Sequence, residues 1–180
     1  EISSVSADLY GNGRDDLTLF YFKEGANYAS VYTTSSIISE SISWNSKSNK
    51  KSIKALMVNT KNANTFTGAQ GSESLDELAK NLSKNLILKE SMSDNGINEI
   101  IKNKDVIFAS TGVIGEKFPV NEINKAIPDL VKKLREDHNK LIWLKTASAI
   151  MTTDTKPKLA YEEINIGNKT IKIAGIAKGS

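Results

Sequence analysis

A chain of 180 residues with 39% hydrophobic content can bury a substantial core, which predicts a folded globular protein. Its 24 basic and 21 acidic residues leave a net charge of +3, and no aromatic residues interleave with the basic clusters at 47–54 and 132–135, which argues against nucleic-acid binding. No segment approaches the ~20 apolar residues of a membrane span and no signal peptide opens the chain, so we expect a cytoplasmic protein without membrane contact.

Cysteine is absent, and His138 is the single histidine. The lack of cysteine excludes disulfides, thiolate metal sites and a cysteine nucleophile. His138 lies in the charged run REDHNK, which is typical of a solvated helix face rather than of a catalytic base. If the protein is an enzyme with a hydroxyl nucleophile, we therefore expect the base to be a carboxylate, a lysine or an N-terminal amine.

Three strands are predicted in the first third of the chain. The aromatic and β-branched stretches at 17–22 and 29–34 flank Gly25 and predict a pair of strands. A polar stretch at 39–52 then leads into the apolar run at 53–60, which predicts a buried strand.

An amphipathic helix is predicted next, after the polar loop KNANTFTGAQG. Ser72 or Ser74 is available as its N-cap. Residues at helical spacing give the helix one apolar face: Leu75, Leu78, Ala79, Leu82 and Leu86. We expect this face to pack against a sheet.

A further strand and two helices are predicted after residue 100. The run DVIFAS at 105–110 repeats the buried-strand pattern. A helical stripe follows, formed by Ile123, Ile127, Leu130, Val131 and Leu134. Pro128 should interrupt or kink this helix, because proline has no backbone N–H to donate. A second helix is predicted over 141–151.

The final predicted element is a hairpin over 162–176, with its turn at Gly167 and Asn168 and alternating apolar residues on both arms. Mixed strands and helices with a hairpin indicate an α+β or a mixed α/β fold. Because neither an internal repeat nor a convincing linker divides the chain, we expect residues 1–180 to form one domain.

The glycine-rich turn STGVIG at 110–115 is the first candidate for chemistry. Such a turn after a buried strand can direct N–H groups at a phosphate or an oxyanion, but a turn that merely needs glycine dihedrals explains it equally well. The only G-x-G, at 11–13, lacks the third glycine of a dinucleotide site. No Walker motif precedes Lys178.

Two other candidates are MTTDT at 151–155 and AKGS at 177–180. Taken alone, Thr152 and Thr153 before Asp154 are more simply explained as capping a helix or turn than as substrate contacts. Each stretch is therefore weak evidence by itself.

Taken together, these stretches resemble a known family. The α chain of the ornithine acetyltransferase family, also called glutamate N-acetyltransferase, has similar motifs in the same order and approximate spacing: VNTKNAN, TFTGAQG, STGVIG, ASAIMTTDTKPK and GIAKGS. The opening stretches YGNGRDDLTLF and ASVYTTS also resemble that family's first strands. The resemblance covers nearly the whole chain.

The resemblance implies a precursor that cuts itself before a threonine into an α chain and an associated β chain. The new N-terminal threonine of the β chain would take the acetyl group from N2-acetylornithine and pass it to glutamate in a ping-pong cycle of arginine biosynthesis. An N-terminal threonine carries its own base in the α-amine, whose reference pKa is about 7.7–8.0, so neither histidine nor cysteine is required.

The resemblance also implies the assembly and its requirements. We expect an α+β fold with stacked sheets between helical layers, completed by the β chain, in an assembly of two α and two β chains. No metal or cofactor is implied. Some family members also use acetyl-CoA as a donor, and no residue here decides that point.

Four residues match functional positions of the family. The Thr111 hydroxyl and the Gly112 N–H match its oxyanion hole, and Thr152 and Lys178 match substrate-binding positions. Lys178 could pair with a substrate carboxylate, and its charge would favour the neutral form of the α-amine.

The sequence departs from the family at three places. Lys61 stands where the family usually has glycine and Thr60 where serine is common, so we expect a local change in this loop. The segment that members often carry before Ser3 is short or missing. The family's cleavage junction falls beyond Ser180, so we expect the chemical C-terminus to lie further on, and the nucleophile is not in this sequence.

Two alternatives remain open from the sequence. The first is a related acyltransferase, aminopeptidase or amidohydrolase with an N-terminal nucleophile and another substrate. The second is a non-catalytic module in which STGVIG binds a phosphate or nucleotide.

Overall fold

The computed structural model describes residues 1–48, 51–92, 100–136 and 139–179, so His138 and Ser180 lie outside the described residues. Within these ranges the chain contains both strands and helices. The elements in chain order are β1 (Ile2–Val5), β2 (Leu17–Asn27), α1 (Glu40–Lys47), β3 (Ser52–Asn59), α2 (Gly68–Ser91), a short 3-10 helix (Asn103–Asp105), β4 (Val106–Ser110), α3 (Val120–Lys132), α4 (Lys140–Ala149), β5 (Lys158–Ile166) and β6 (Lys169–Ala177).

Four strands form one sheet in the order β1-β2-β3-β4. The first two pairings are antiparallel and β3 pairs with β4 in parallel, with Met57 opposite both Leu19 and Phe108. The register of β2 against β3 shifts where β2 passes Gly25, which has a φ of +80°. Strands β5 and β6 form a separate antiparallel hairpin that turns at 167–168.

The core lies between one face of the four-stranded sheet and helices α2 and α3. Alternate residues of β2, β3 and β4 meet the apolar faces of the two helices. The helix residues that are wholly buried there are Leu75, Leu78, Ala79, Leu82, Leu86, Ile123, Ile127 and Leu130. Burying each large aliphatic side chain contributes roughly 1.5–3 kcal/mol, so this contact fixes the strands whose ends form the candidate site.

The predicted α+β class is confirmed. The strands predicted at 53–60 and 105–110 correspond to β3 and β4, and the helix predicted at 141–151 corresponds to α4. The two predicted apolar helix faces are the buried faces of α2 and α3, and the hairpin turns where predicted.

The predicted strand at 29–34 is wrong. The segment is unpaired, and Val31 is 97% exposed. Over 17–20 both edges of β2 are already occupied, one by β1 and the other by β3, so 29–34 has no free edge there for the predicted pairing. Aromatic and β-branched composition predicts strand preference but not the availability of a partner.

The polar stretch at 39–52 contains a helix that the sequence did not indicate. Ser39 caps α1 by accepting a hydrogen bond from the Ile42 N–H at 3.3 Å. Asn45 then forms two hydrogen bonds with the backbone of Phe108 in β4, one to its C=O at 2.8 Å and one from its N–H at 2.9 Å. Helix α1 therefore covers the free edge of β4, a tertiary role that no local pattern encodes.

The predicted details of α2 and α3 need two corrections. Helix α2 begins at Gly68, and neither Ser72 nor Ser74 is its N-cap. Pro128 does not interrupt α3, which runs from Val120 to Lys132. Proline leaves the carbonyl of Asn124, four residues before it, without its helical donor, and the side chain of Asn81 in α2 donates to that carbonyl at 3.2 Å.

Candidate active site

The loops that follow β3 and β4 lie side by side and continue the pairing of these strands. The Thr111 N–H donates to the Asn59 carbonyl at 3.1 Å, and the Val113 N–H donates to the Lys61 carbonyl at 2.9 Å. The Ala63 N–H donates back to Val113 at 2.9 Å. The turn STGVIG is thereby fixed against the stretch VNTKNAN.

Buried asparagine side chains hold the two loops together. Asn62 donates to the carbonyls of Glu116 at 3.1 Å and Lys117 at 3.2 Å, and Asn59 donates to the Asn62 carbonyl at 3.0 Å. The Asn62 side chain also accepts from the Asn64 N–H at 2.8 Å. Because every one of these amide groups is paired, the network fixes the turn that carries Thr111 and Gly112.

Gly112 lies against the neighbouring loop with a φ of +137°. A Cβ at this position would overlap the backbone of Lys61 and Asn62, so only glycine fits. The Gly112 N–H forms no hydrogen bond within the described residues, and the buried Thr111 hydroxyl has no partner there. A buried hydroxyl without a partner is costly, which makes these two adjacent donors a candidate oxyanion site.

The structure brings Thr152 and Lys178 together. The Lys178 Nζ donates to the Thr152 hydroxyl at 2.7 Å, across 26 residues of chain. Burial lowers the pKa of Lys178 from its ordinary value, although the Asp154 carboxylate nearby opposes this shift. The two residues form a second polar pair on the loop before β5 and the segment after β6.

Asp154 organises this pair, and the sequence did not identify it as a site residue. Its carboxylate accepts from the Gly179 N–H at 2.7 Å, the Thr152 N–H at 3.3 Å and the Lys158 Nζ at 2.7 Å. The hydrogen bond from Lys158, followed by that from Gly179, holds the pKa of Asp154 well below its usual range. Thr152 and Lys158 are close to Asp154 in the chain, but Gly179 is 25 residues away, and spacing alone gave no signal for that contact.

Tyr10 and Arg14 lie between the turn that carries Gly112 and the loop that carries Thr152. The Arg14 guanidinium lies 4.6 Å from the centre of the Tyr10 ring, and the Lys61 ammonium lies 5.6 Å from it. Arg14 also donates to the Met151 carbonyl at 2.7 Å, next to Thr152. In the sequence, the motif YGNGRDD was the only sign of these residues. The glycines of this motif have positive φ values, which are typical of a turn.

Neither a metal centre nor a membrane span is found in the part of the chain that the structure describes. No three acidic, histidine or cysteine side chains there are grouped to ligate a metal ion. No helix in the same ranges combines the length and the apolar character needed to cross a bilayer.

Comparison with known proteins decides the family. A model of the ArgJ family matches residues 1–180. The chain belongs to the ArgJ family. Among ArgJ relatives, the "arginine biosynthesis bifunctional protein ArgJ" of Caulobacter vibrioides is 34% identical over 100% of this chain and 41% of its own length. That of Gluconobacter oxydans is 36% identical over 99% of this chain and 38% of its own length.

Solved ArgJ structures share the fold. The crystal structure of ArgJ from Bacillus halodurans has a TM-score of 0.78 and 24% identity, covering 99% of this chain and 86% of that one. Ornithine acetyltransferase from Mycobacterium tuberculosis, complexed with ornithine, has a TM-score of 0.76 and 23% identity, with 99% and 87% coverage. The chain spans about two fifths of the length of the curated ArgJ relatives it matches.

Lys61 has an uncommon backbone conformation for a residue with a side chain. Its backbone has a φ of +74°, in the left-handed region that glycine adopts without strain. The Lys61 side chain extends towards the Tyr10 ring, and the local change in this loop that the sequence led us to expect stays a prediction.

Proposed function

We propose that this chain is the α chain of a glutamate N-acetyltransferase that takes acetyl from N2-acetylornithine and passes it to glutamate in arginine biosynthesis. Family membership supports the reaction class, because the curated relatives are named as arginine biosynthesis proteins. The observation that carries the proposal is the pair of unused donors at the end of β4, the buried Thr111 hydroxyl and the Gly112 N–H.

The oxyanion site would act when the acetyl carbonyl is attacked. The hydroxyl oxygen of an N-terminal threonine on the β chain bonds to the carbonyl carbon while its α-amine accepts the hydroxyl proton. The carbonyl oxygen then carries the negative charge, which Thr111 and Gly112 stabilise by donating hydrogen bonds. Collapse of this intermediate breaks the C–N bond, ornithine leaves with the proton, and an acetyl-threonine ester remains.

The second half-reaction uses the same groups. The amine of glutamate attacks the ester carbonyl, the oxyanion forms again at Thr111 and Gly112, and the threonine oxygen leaves and recovers a proton. Both half-reactions pass through a tetrahedral oxyanion, so one site serves both. The cycle requires no metal or cofactor, and if acetyl-CoA is also a donor, it would acetylate the same threonine.

Thr152 and Lys178 would bind the substrates. The Lys178 ammonium suits a carboxylate, which both acetylornithine and glutamate possess, and the Thr152 hydroxyl fixes the direction of that ammonium. The solved relative from Mycobacterium tuberculosis carries ornithine, which supports a substrate of this class.

The partner would be a β chain released from the same precursor, in an assembly of two α and two β chains in the cytoplasm. This chain matches 41% of the length of the Caulobacter vibrioides relative, and the rest of a precursor of that length is long enough to supply such a partner. Residues 1–180 would then form the single α-chain domain, and the β chain would supply the second sheet between the helical layers.

Steady-state kinetics on the purified full-length protein test this function. Acetylornithine and glutamate should give the parallel double-reciprocal plots of a ping-pong reaction, and acetyl-CoA should be assayed as donor in parallel. A protein that transfers no acetyl group from either donor but binds a nucleotide would contradict the proposal.

A further inference from the structure

The Asp154 carboxylate joins two segments of the chain, its own stretch at 152–158 and Gly179 after β6. It accepts hydrogen bonds from the loop before β5, from the start of β5 at Lys158 and from Gly179 after β6. Lys158 also donates to the Gly179 carbonyl. Both polar groups of Gly179 are therefore held by the Asp154–Lys158 ion pair.

This carboxylate is withdrawn from solvent although it lies near the protein surface. The Asp154 side chain is 1% exposed, whereas that of its partner Lys158 is 48% exposed. A buried carboxylate is costly unless charge-assisted hydrogen bonds satisfy it, and the three donors here do so. Such an arrangement fixes the backbone on both sides of it.

Lys178 and Thr152 are each connected to the hydrogen bonds that the Asp154 carboxylate accepts. Thr152 donates its backbone N–H to Asp154 and accepts the Lys178 ammonium at its hydroxyl. Lys178 is adjacent to Gly179, whose N–H is bound by the same carboxylate. The Lys178 ammonium and the Thr152 hydroxyl, 2.7 Å apart, are thus each next to a backbone N–H that is bonded to Asp154.

We propose that Asp154 is a positioning residue, which holds the Thr152 backbone and the Gly179 backbone so that the Lys178 ammonium stays at the Thr152 hydroxyl. The part of this proposal that concerns catalysis rests on the proposed function, because Thr152 and Lys178 are there assigned to the substrate. The geometric part concerns Lys178 itself and can be measured without substrate.

The charges near Lys178 predict in which direction its pKa changes in two variants. Burial lowers the pKa of Lys178, the Asp154 carboxylate raises it, and the Lys158 ammonium lowers it. Asp154→Asn keeps the shape of the side chain but removes the negative charge, so the pKa of Lys178 should fall further. Lys158→Met removes a positive charge, so the pKa of Lys178 should rise.

The test is an NMR titration of lysine side chains in the full-length protein, with the Lys178 signal assigned through Lys178→Met. Asp154→Asn and Lys158→Met should move the titration of Lys178 in opposite directions. Glu163→Gln is the matched control, because Glu163 forms an ion pair with Lys172 at 3.5 Å on the same hairpin. This control should leave the Lys178 titration unchanged.

Kinetics provide the second measurement. Asp154→Asn should raise the KM for acetylornithine roughly 10- to 100-fold, because misplacing a binding group by about 1 Å has an effect of that order. The increase in KM should exceed the decrease in kcat, and Glu163→Gln should change neither. If Asp154→Asn does not fold, Lys158→Met still tests the direction of the shift.

The outcomes separate the two proposals. A Lys178 titration that neither variant moves overturns the positioning role, even if acetyl transfer is intact. Opposite shifts, together with loss of the NMR through-space contact between the Lys178 and Thr152 side chains in Asp154→Asn, support the positioning of Lys178. If such a protein transfers no acetyl group, the proposed function is overturned. A raised KM with an unmoved titration assigns Asp154 a merely structural role and overturns its positioning of Lys178.

Discussion

At the scale of single residues, Thr111 places a hydroxyl without a structural partner directly after β4 and next to Gly112. Its hydroxyl is buried and unbonded within the described residues, while its N–H is used to pair with Asn59. The neighbouring Gly112 is held where no other residue fits. Backbone and packing thus present two donors that the fold itself does not need.

Thr111→Val should leave the protein folded and lower kcat by about 10²- to 10³-fold, because one oxyanion donor is removed. Valine has nearly the shape of threonine and leaves no unpaired hydroxyl, so the melting temperature should not fall. Turnover and thermal unfolding of the purified variant measure the two effects. Thr146→Val is the control, since Thr146 is a buried threonine of α4 whose hydroxyl donates to Ile142. Undiminished turnover in Thr111→Val would remove Thr111 from the mechanism.

Lys61 gives a prediction about stability rather than catalysis. Because its φ is +74°, Lys61→Gly should be more stable than Lys61→Ala by about 1 kcal/mol. Urea unfolding of both variants measures the difference. The same pair of substitutions at Lys84, on the exposed face of α2, should give the opposite order, because alanine is the better helix former. An alanine variant at Lys61 that matches the glycine variant would show that this backbone is not strained.

At the scale of elements, α1 protects the sheet edge next to the candidate site. Trp44 donates to the Val106 carbonyl at 2.9 Å, and Asn45 binds both backbone groups of Phe108. Ser41 of the same helix shares a hydrogen bond of 2.7 Å with Ser110, the residue before Thr111. Helix α1 therefore fixes the end of β4 that leads into the turn.

Asn45→Ala should destabilise the protein by about 2 kcal/mol, because it leaves the N–H and C=O of Phe108 buried and unpaired. Chemical unfolding measures the loss. Ser46→Ala is the matched control, since the exposed Ser46 donates to the Ser43 carbonyl of its own helix, and it should change stability by less than about 0.5 kcal/mol. Equal stability of the two variants would contradict the role given to Asn45.

The elements differ in how far the sequence predicts them. The strands β3 and β4 and the faces of α2 and α3 follow from periodicity, because burial against one core imposes it. The helix α1 and the unpaired segment at 29–34 were mispredicted, because side-chain contacts with β4 and the occupied edges of β2 decide them.

In the candidate site, too, some residues could be marked from the sequence and others could not. The stretches that hold the four candidate residues were singled out by their residue types. The roles came only from the resemblance and stay proposals for each of them: Thr111, Gly112, Thr152 and Lys178. Asp154 and Arg14 were not marked, because their decisive partners are 25 and 137 residues away in the chain. Contacts of that separation exist only once the fold has formed.

At the scale of the whole molecule, the β5–β6 hairpin exposes apolar residues. Ile164, Ile166, Ile171 and Ile173 are between 43% and 62% exposed. Four exposed isoleucines on one hairpin are unusual for a surface that faces only water. The proposed β chain would cover them, and it would also bring the nucleophile to the donors at Thr111 and Gly112.

The intact mass of the purified full-length protein tests the central claim most directly. The proposed chemistry predicts two chains, of which the second begins with threonine and gains one acetyl group when acetylornithine is added without glutamate. Subsequent addition of glutamate should remove that group. A single uncleaved chain, or a second chain that acetylornithine leaves unmodified, would contradict the proposed acetyl-threonine mechanism.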